Sequence, residues 1–268
     1  MQLEGRARQI LAELTAGDGA DIALLDVYPG IDAWTTHAIA YFSNASVLCD
    51  EPKAHDFAVF GALYCVRHGL ELWLKWIIQK RVMDDVLAAL RGGADLEELI
   101  RVAQVGSSSR RERNERRSQL VRALCTIRNV EAGLTHPACR QEAMSERFAI
   151  ERLSKGPAIR GSILSIAWPI PVHGHDLKEL WAAAEDPIRG RYEDLTETPE
   201  LGEALHPDTI GGICALLGAI DPAGDGFRYP SSLEGDWYLH RPPINLRALG
   251  QLAESLEDSV RSYRGVEL

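Results

Sequence analysis

The chain has 268 residues, of which 46% are hydrophobic and 25% charged, a composition that supplies a sizeable core and excludes disorder along most of its length. Its formal net charge of −10 excludes a general attraction to nucleic acid, so any phosphate-binding surface has to be local. Five cysteines, Cys49, Cys65, Cys125, Cys139 and Cys214, are scattered without a C-x-x-C spacing, which argues for reduced, mostly buried thiols and against a disulfide framework or a zinc ribbon.

The first residues, MQLEGRARQILAEL, mix charge with apolar side chains at helical spacing, which fits neither a secretory nor a targeting segment. No apolar run is long enough to span a bilayer, and a cytoplasmic protein without membrane contact is expected. Periodicity predicts helices over residues 2–15, 32–48, 56–80, 83–91, 95–104, 111–131, 138–154, 176–185, 208–219 and 244–263. Between them, 106–118 is the first tract expected to be flexible, because serines run into dense charge without an apolar anchor; 186–207 is the second. Residues 158–172, AIRGSILSIAWPIPV, are apolar and broken by proline, as in a packed connector or a short strand. The aromatic segments GFRYP and DWYLHRP predict a small β-hairpin near residues 226–240.

In the tract SSSRRERNERRSQL, Arg110, Arg111, Arg113, Arg116 and Arg117 are interrupted only by Glu112, Asn114 and Glu115. It reads either as a solvated helix start braced by i, i+3 and i, i+4 ion pairs, or as a local patch (110–117) for RNA or a nucleotide. The helix DFAVFGALYCVRHGLELWLKWIIQK is apolar nearly all round, as in the middle of a bundle. Its exceptions, Tyr64, His68, Glu71 and Lys75, follow one helical face, with Arg67 alongside. One reading pairs Arg67 with Glu71 and Glu71 with Lys75 on the only face that meets water. The other has the stripe border a cleft, bind an anionic group or share protons with a histidine from elsewhere, His173 or His175.

Those histidines belong to HGHDLKELW, residues 173–181. Asp176 and Glu179 have the spacing of a capping box, Asp176 accepting from the Glu179 amide while Glu179 reaches back. Gly174 supplies a turn, and His175 stands where it can lie against Leu180 as a staple. His173-x-His175 with Asp176 is too short a ligand set for a catalytic metal, so no metal and no cofactor is expected.

Three segments then fall in order: RHGLELWLKWII at 67–78, GHDLKELW at 174–181, and IDPAGDGFRYP at 220–230 followed by INLRAL at 244–249. In this combination, which covers about half of the chain, the sequence resembles prokaryotic HEPN-like helical proteins. In that group an E-L-x-L-K helix precedes a G-H-D-L-K-x-L helix start, an F-R-Y-P element and a last helix. The resemblance implies an α-helical bundle, frequent dimerisation, and a place in toxin–antitoxin or antiviral systems, where many members cleave RNA and others bind nucleotides or are inactive. It puts Glu71 and Lys75 in the first motif, His175 and Asp176 in the second, and Arg228 and Tyr229 in the third.

Two features depart from the family. Ribonuclease members carry R-x(4 to 6)-H, the arginine stabilising phosphate charge and the histidine handling a proton. Here Arg128-Asn129 precedes His136 with one residue too many between, and Gly133 and Pro137 end the helix there, so a loop can return His136 towards Arg128 or simply close an ordinary helix. The first and second motifs are also separated by a segment, 79–173, longer than the family's connection and expected to form an inserted helical subdomain.

The expectation is therefore a single all-α, HEPN-like domain over residues 1–268 with a helical insertion and a small β-hairpin. Its candidate catalytic residues are Arg128, Asn129 and His136, and its candidate binding residues His68, Glu71, Lys75, His175, Arg228 and Tyr229. The expected function is RNA-directed, in a bacterial defence or toxin–antitoxin system, as a metal-independent endoribonuclease or its degenerate relative. The alternative is a non-catalytic nucleotide- or partner-binding sensor. A homodimer and a cognate defence-system protein are the expected partners.

Overall fold

A computed structural model describes residues 33–50, 55–131, 170, 172–197, 204–221 and 244–265. They form helices α1 (Ala33–Asp50), α2 (His55–Arg91), α3 (Leu96–Ala103), α4 (Arg110–Glu131), α5 (Leu177–Glu197), α6 (Pro207–Ile220) and α7 (Leu246–Gly265). The fold is all-α, with no strand among the described residues. The helices expected at 2–15 and 138–154 and the hairpin near 226–240 lie outside them. None of the described helices is long and apolar enough to cross a membrane.

The axis of the molecule is α2, 37 residues long. Sequence periodicity breaks it at residues 81–82, but the backbone runs through. Val82, Met83 and Val86 are buried there, so packing overrides the charged interruption Lys80-Arg81. The helix ends instead at a glycine pair: Gly93 takes φ +79°, Ala94 N donates to Ala89 O (3.0 Å) and Gly93 N to Leu90 O (3.2 Å), the two reversed bonds of a Schellman stop. Asp95 then caps α3 by accepting from Glu98 N at 2.9 Å.

The long helix serves two cores. Its first half packs with α1, α5, α6 and α7 around Phe42, Trp73, Trp76 and Tyr263. Its second half packs with α3 and α4 around Val86, Leu99, Ile100 and Leu120. The connector ending at residue 172 touches both: Ile170 is buried in the second core, where its carbonyl accepts from Gln79 Nε2 at 2.6 Å, and Val172 in the first. Antiparallel α1 and α7 are joined by Ser43 Oγ donating to Glu257 Oε2 (2.5 Å) and Ser46 Oγ to Glu254 Oε1 (2.9 Å).

Of the two tracts expected to be flexible, 106–118 and residues 186–197 and 204–207 of the second have defined structure, for different reasons, while 198–203 lie outside the described residues. In 106–118, Ser109 Oγ caps α4 by accepting from Glu112 N, while Glu112 Oε2 accepts from Ser108 N (2.9 Å) and Ser108 Oγ (2.6 Å). Arg116, fully buried, pairs with Glu112 Oε1 and donates to the carbonyls of Ala103 (3.3 Å) and Val105 (2.9 Å), so the anchor is a buried ion pair rather than an apolar side chain. The solvated-start reading thus fails for Arg116 and holds for Arg110, Arg111, Arg113 and Arg117, which are exposed. In 186–207, α5 continues past Pro187 to Glu197 because Leu177, Leu180, Ala184, Ile188 and Leu195 keep one face buried. The expected thiol pattern holds for Cys49, Cys65 and Cys214, which are buried, whereas Cys125 is exposed. Burial pushes the Cys214 thiol up to about 12.

Among the glycines of the described residues, Gly69 of α2 leaves the least room for a side chain. A β-carbon there would meet the buried Phe42 ring at 2.7 Å. Gly69→Ala should therefore destabilise the fold by about 1–3 kcal/mol through overpacking, although alanine by itself favours a helix by about 1 kcal/mol. Urea melts check this, and an alanine variant as stable as wild type would mean that Phe42 can move aside.

Candidate active site: a buried carboxylate with an exposed histidine

Arg67, Glu71 and Lys75 recur every fourth residue, so α2 presents them on one face. That face is not the wet one. All three side chains are buried, and Arg67 and Glu71 meet the 172–176 turn, Arg67 also the end of α6. The intrahelical pairs exist as the spacing predicts: Arg67 Nη1 donates to Glu71 Oε2 at 3.0 Å and Lys75 Nζ to Glu71 Oε1 at 2.8 Å. The histidine from elsewhere is His175, whose Nδ1 lies 2.8 Å from Glu71 Oε1.

Burial by itself pushes the Glu71 carboxyl up, but the His68 ring, the Lys75 ammonium and the His175 ring together outweigh it and hold it well below the usual carboxylate range. On geometry Lys75 and His175 do most of this, because His68 Nδ1 stands 3.9 Å from Oε2, beyond a hydrogen bond. An ionised carboxylate only accepts, so the proton of the shared bond sits on His175 Nδ1. In the neutral ring Nε2 then carries the lone pair, on a side chain 59% exposed. A buried carboxylate that fixes the tautomer of an exposed imidazole is a general acid–base arrangement.

Arg67 is the tie-rod of the site. Its Nη2 donates to the His175 carbonyl at 2.6 Å, and its Nε lies 3.3 Å from both the carbonyl oxygen and Oδ2 of Asp221. Asp221 is the residue at which α6 stops, its own N–H donating to Leu217 O at 2.9 Å. One guanidinium thereby joins α2, the turn before α5 and the end of α6. On the outer side, Lys75 Nζ stands 6.0 Å from the Trp34 ring centroid. His68 stacks on Tyr64 (5.5 Å, 10°) and meets Tyr41 edge-on (4.7 Å, 89°), leaving its Nδ1 without a hydrogen-bond partner among the described residues.

The turn itself follows the sequence closely. Gly174 takes φ +95°, which favours glycine. Asp176 caps α5, but it accepts from Lys178 N (2.8 Å), one amide earlier than the Glu179 position of a capping box. Leu180 is buried, while the His175 ring that was expected to staple it is engaged by Glu71. His173 turns to α4 instead, with Nε2 2.6 Å from Glu115 Oε2.

Of the binding residues expected from sequence, Glu71, Lys75 and His175 meet, and His68 stands at their edge. Arg228, Tyr229 and His136 lie outside the described residues; Arg128 and Asn129 form part of the last turns of α4, and their side chains lie outside them too. The sequence reading missed Asp221, Tyr41 and Glu115. Asp221 had a local signal, an acid before proline at the end of an apolar helix; the other two had none. Among the described residues no three His, Cys, Asp or Glu side chains are grouped to hold a metal ion. Comparison of the chain with protein-family models, with curated proteins and with solved structures finds no match.

Replacing Glu71 by Gln leaves buried Lys75 without its ion pair and buried Arg67 with Asp221 alone, which should cost about 3–5 kcal/mol. Because the folded carboxyl is held below its ordinary value of 4.5, the network is at full strength above that pH and weakens as pH falls below it. The Gln variant has no such contribution to lose. Urea melts at about pH 7 and about pH 3 should therefore show the gap between the two proteins narrowing in acid; a constant gap would mean that Glu71 is not ionised in the fold.

Proposed function

We propose that the chain is a HEPN-like, RNA-directed protein of a bacterial defence or toxin–antitoxin system, acting as a metal-independent endoribonuclease whose proton-transfer residue is His175. The observation that carries this reading is the His175–Glu71 pair: a buried carboxylate holds Nδ1 of an imidazole whose side chain is more than half exposed. Exposed Arg110, Arg111, Arg113 and Arg117 supply local positive charge on a chain that is acidic as a whole. The E-L-x-L-K and G-H-D-L-K-x-L resemblance supports the family, the described all-α architecture is compatible with its bundle, and the homodimer, the cognate partner, the β-hairpin and the inserted subdomain come with the same reading.

In the reaction, the ribose 2′-hydroxyl loses its proton to a base and attacks the adjacent phosphorus while the 5′-oxygen leaves with a proton, giving a 2′,3′-cyclic phosphate and a 5′-hydroxyl. His175 Nε2 suits the first or the last transfer. Arg128, Asn129 and His136 remain the competing assignment that the family's arginine–histidine pattern supports. The alternative of a non-catalytic sensor draws on the Arg67 bond to the His175 carbonyl, which gives this residue a structural task as well.

Expression with RNA profiling, followed by three substitutions, tests the assignment. His175→Ala should keep the backbone tie to Arg67, stay folded and lose cleavage by roughly 10²–10⁴-fold. Asp176→Ala should lose on the order of 1 kcal/mol of stability and keep activity. Arg128→Ala should stay folded and active. Loss of cleavage in Arg128→Ala but not in His175→Ala moves the active site to the end of α4, and a wild-type protein that binds but never cleaves RNA establishes the sensor.

A further inference from the structure

The turn that carries His175 also reaches α4, and what it meets there extends the site. Along the first half of α4 runs an open groove of about 590 Å³ lined by Arg110, Arg111, Asn114, Ser118 and Arg122, with Glu115 among them. Its size falls within that of ligand-binding clefts, but its lining is polar and rich in arginine rather than apolar. Such a lining fits a phosphodiester chain, whose charge is spread along a strand, better than a compact apolar ligand. Gln119, which also lines the groove, has a buried Oε1 with no hydrogen-bond partner among the described residues.

Glu115 connects this groove to the turn. It accepts from Arg111 Nε at 2.9 Å and from His173 Nε2 at 2.6 Å, and those two bonds, Arg111 first, hold its carboxyl below the ordinary range. By the argument used for His175, an ionised Glu115 places the His173 proton on Nε2 and leaves Nδ1 with the lone pair, on a side chain 42% exposed. The tripeptide His173-Gly174-His175 thus carries two exposed imidazoles, one anchored on α2 through Glu71 and one on α4 through Glu115. Their α-carbons are at most about 7 Å apart, the reach of two residues.

We propose that the groove of α4 is the bed for a single strand of RNA, and that His173 is the second proton-transfer residue, working with His175 on the phosphate at the groove's end. The inference rests on the proposed ribonuclease reading for its chemistry, but its binding half stands on the groove alone. One imidazole takes the proton of the 2′-hydroxyl as that oxygen bonds to phosphorus. The other, protonated, gives its proton to the 5′-oxygen as the phosphorus–oxygen bond breaks, and exchange with water restores both. The charged groups around the two rings are Glu71, Arg67, Lys75 and Asp176 for His175, and Glu115 and Arg111 for His173.

Binding and chemistry are tested apart. The binding probe is a fluorescein-labelled oligonucleotide of about 12 nucleotides with 2′-O-methyl riboses, which lacks the attacking hydroxyl and reports occupancy by anisotropy. Ser118→Glu puts one negative charge into the groove and should weaken binding roughly tenfold or more. Arg247→Glu makes a larger charge change at an exposed position of α7 that does not line the groove, and should alter binding by no more than about twofold. Equal effects of the two, or no binding by wild type, overturn the groove assignment. For the chemistry, His173→Ala should bind the probe as wild type does, cleave an unmodified RNA about 10²-fold more slowly, and lose one limb of a bell-shaped pH–rate profile. A residue that only braces the turn would leave both limbs in place, and that result removes His173 from the reaction. If wild type binds in the groove but cleaves nothing, the ribonuclease reading fails and the groove survives. If wild type cleaves and His175→Ala does not, while Ser118→Glu and His173→Ala match wild type, only the present inference fails.

Discussion

A carboxylate in the middle of the longest helix is the constraint around which this fold is arranged. Glu71 is 1% exposed, and an unpaired charge there would cost several kcal/mol. Its two oxygens must therefore be filled, and α2 can fill them only in part: Arg67 covers Oε2 and Lys75 one side of Oε1. The remaining direction is filled by a ring that arrives from 104 residues away. Once Arg67 is committed to Glu71, its other nitrogens are buried too and need acceptors of their own, which the His175 and Asp221 carbonyls provide. The entry into α5 and the exit from α6 are thus positioned by the polar requirements of one helix face as much as by the apolar packing below it.

A second buried pair, Glu112 with Arg116, shows what distinguishes scaffold from site. There too a carboxylate and a guanidinium lie i, i+4 in a helix and out of solvent. Every partner named for them is local: serines 108 and 109 on the acid side, the last carbonyls around α3 on the basic side. These bonds join residues 103 to 116 to one another. From Glu71, by contrast, a bond leads outwards to an imidazole more than half exposed, so a carboxylate in the core sets the orientation of a ring that solvent reaches.

How much of this was written in the sequence depends on the range of the interaction. Helices carried by an apolar stripe were legible, and so was the polar stripe of α2, because both are properties of spacing within about ten residues. Two misjudged tracts fell to effects that periodicity does not register: a buried ion pair in place of an apolar anchor at 106–118, and packing of Ile188 and Leu195 strong enough to carry α5 past Pro187. The stripe was legible but its environment was left with two readings, a wet face or a meeting with His173 or His175; burial removes the first, and His175 stands at Glu71 as in the second. The pairs His175–Glu71 and His173–Glu115 span 104 and 58 residues, and no local pattern encodes which of the two histidines flanking Gly174 meets which acid.

Whether the histidines of HGHDLKELW fasten the chain or perform chemistry turns out to be a question about atoms rather than residues. The fastening is done by backbone and by Asp176: the His175 carbonyl accepts from Arg67, and the Asp176 carboxylate accepts from the Lys178 amide. These bonds would form with almost any side chain at position 175. The ring is thereby relieved of structural duty except toward Glu71, and that one bond orients it without covering it. Gly174, with its positive φ, separates the two tasks along the chain, letting residues 173 and 175 anchor on different helices within a single turn. A turn bound this firmly by its main chain leaves both imidazoles fixed in place yet exposed, the preorganisation that general acid–base catalysis requires of its groups before a substrate arrives.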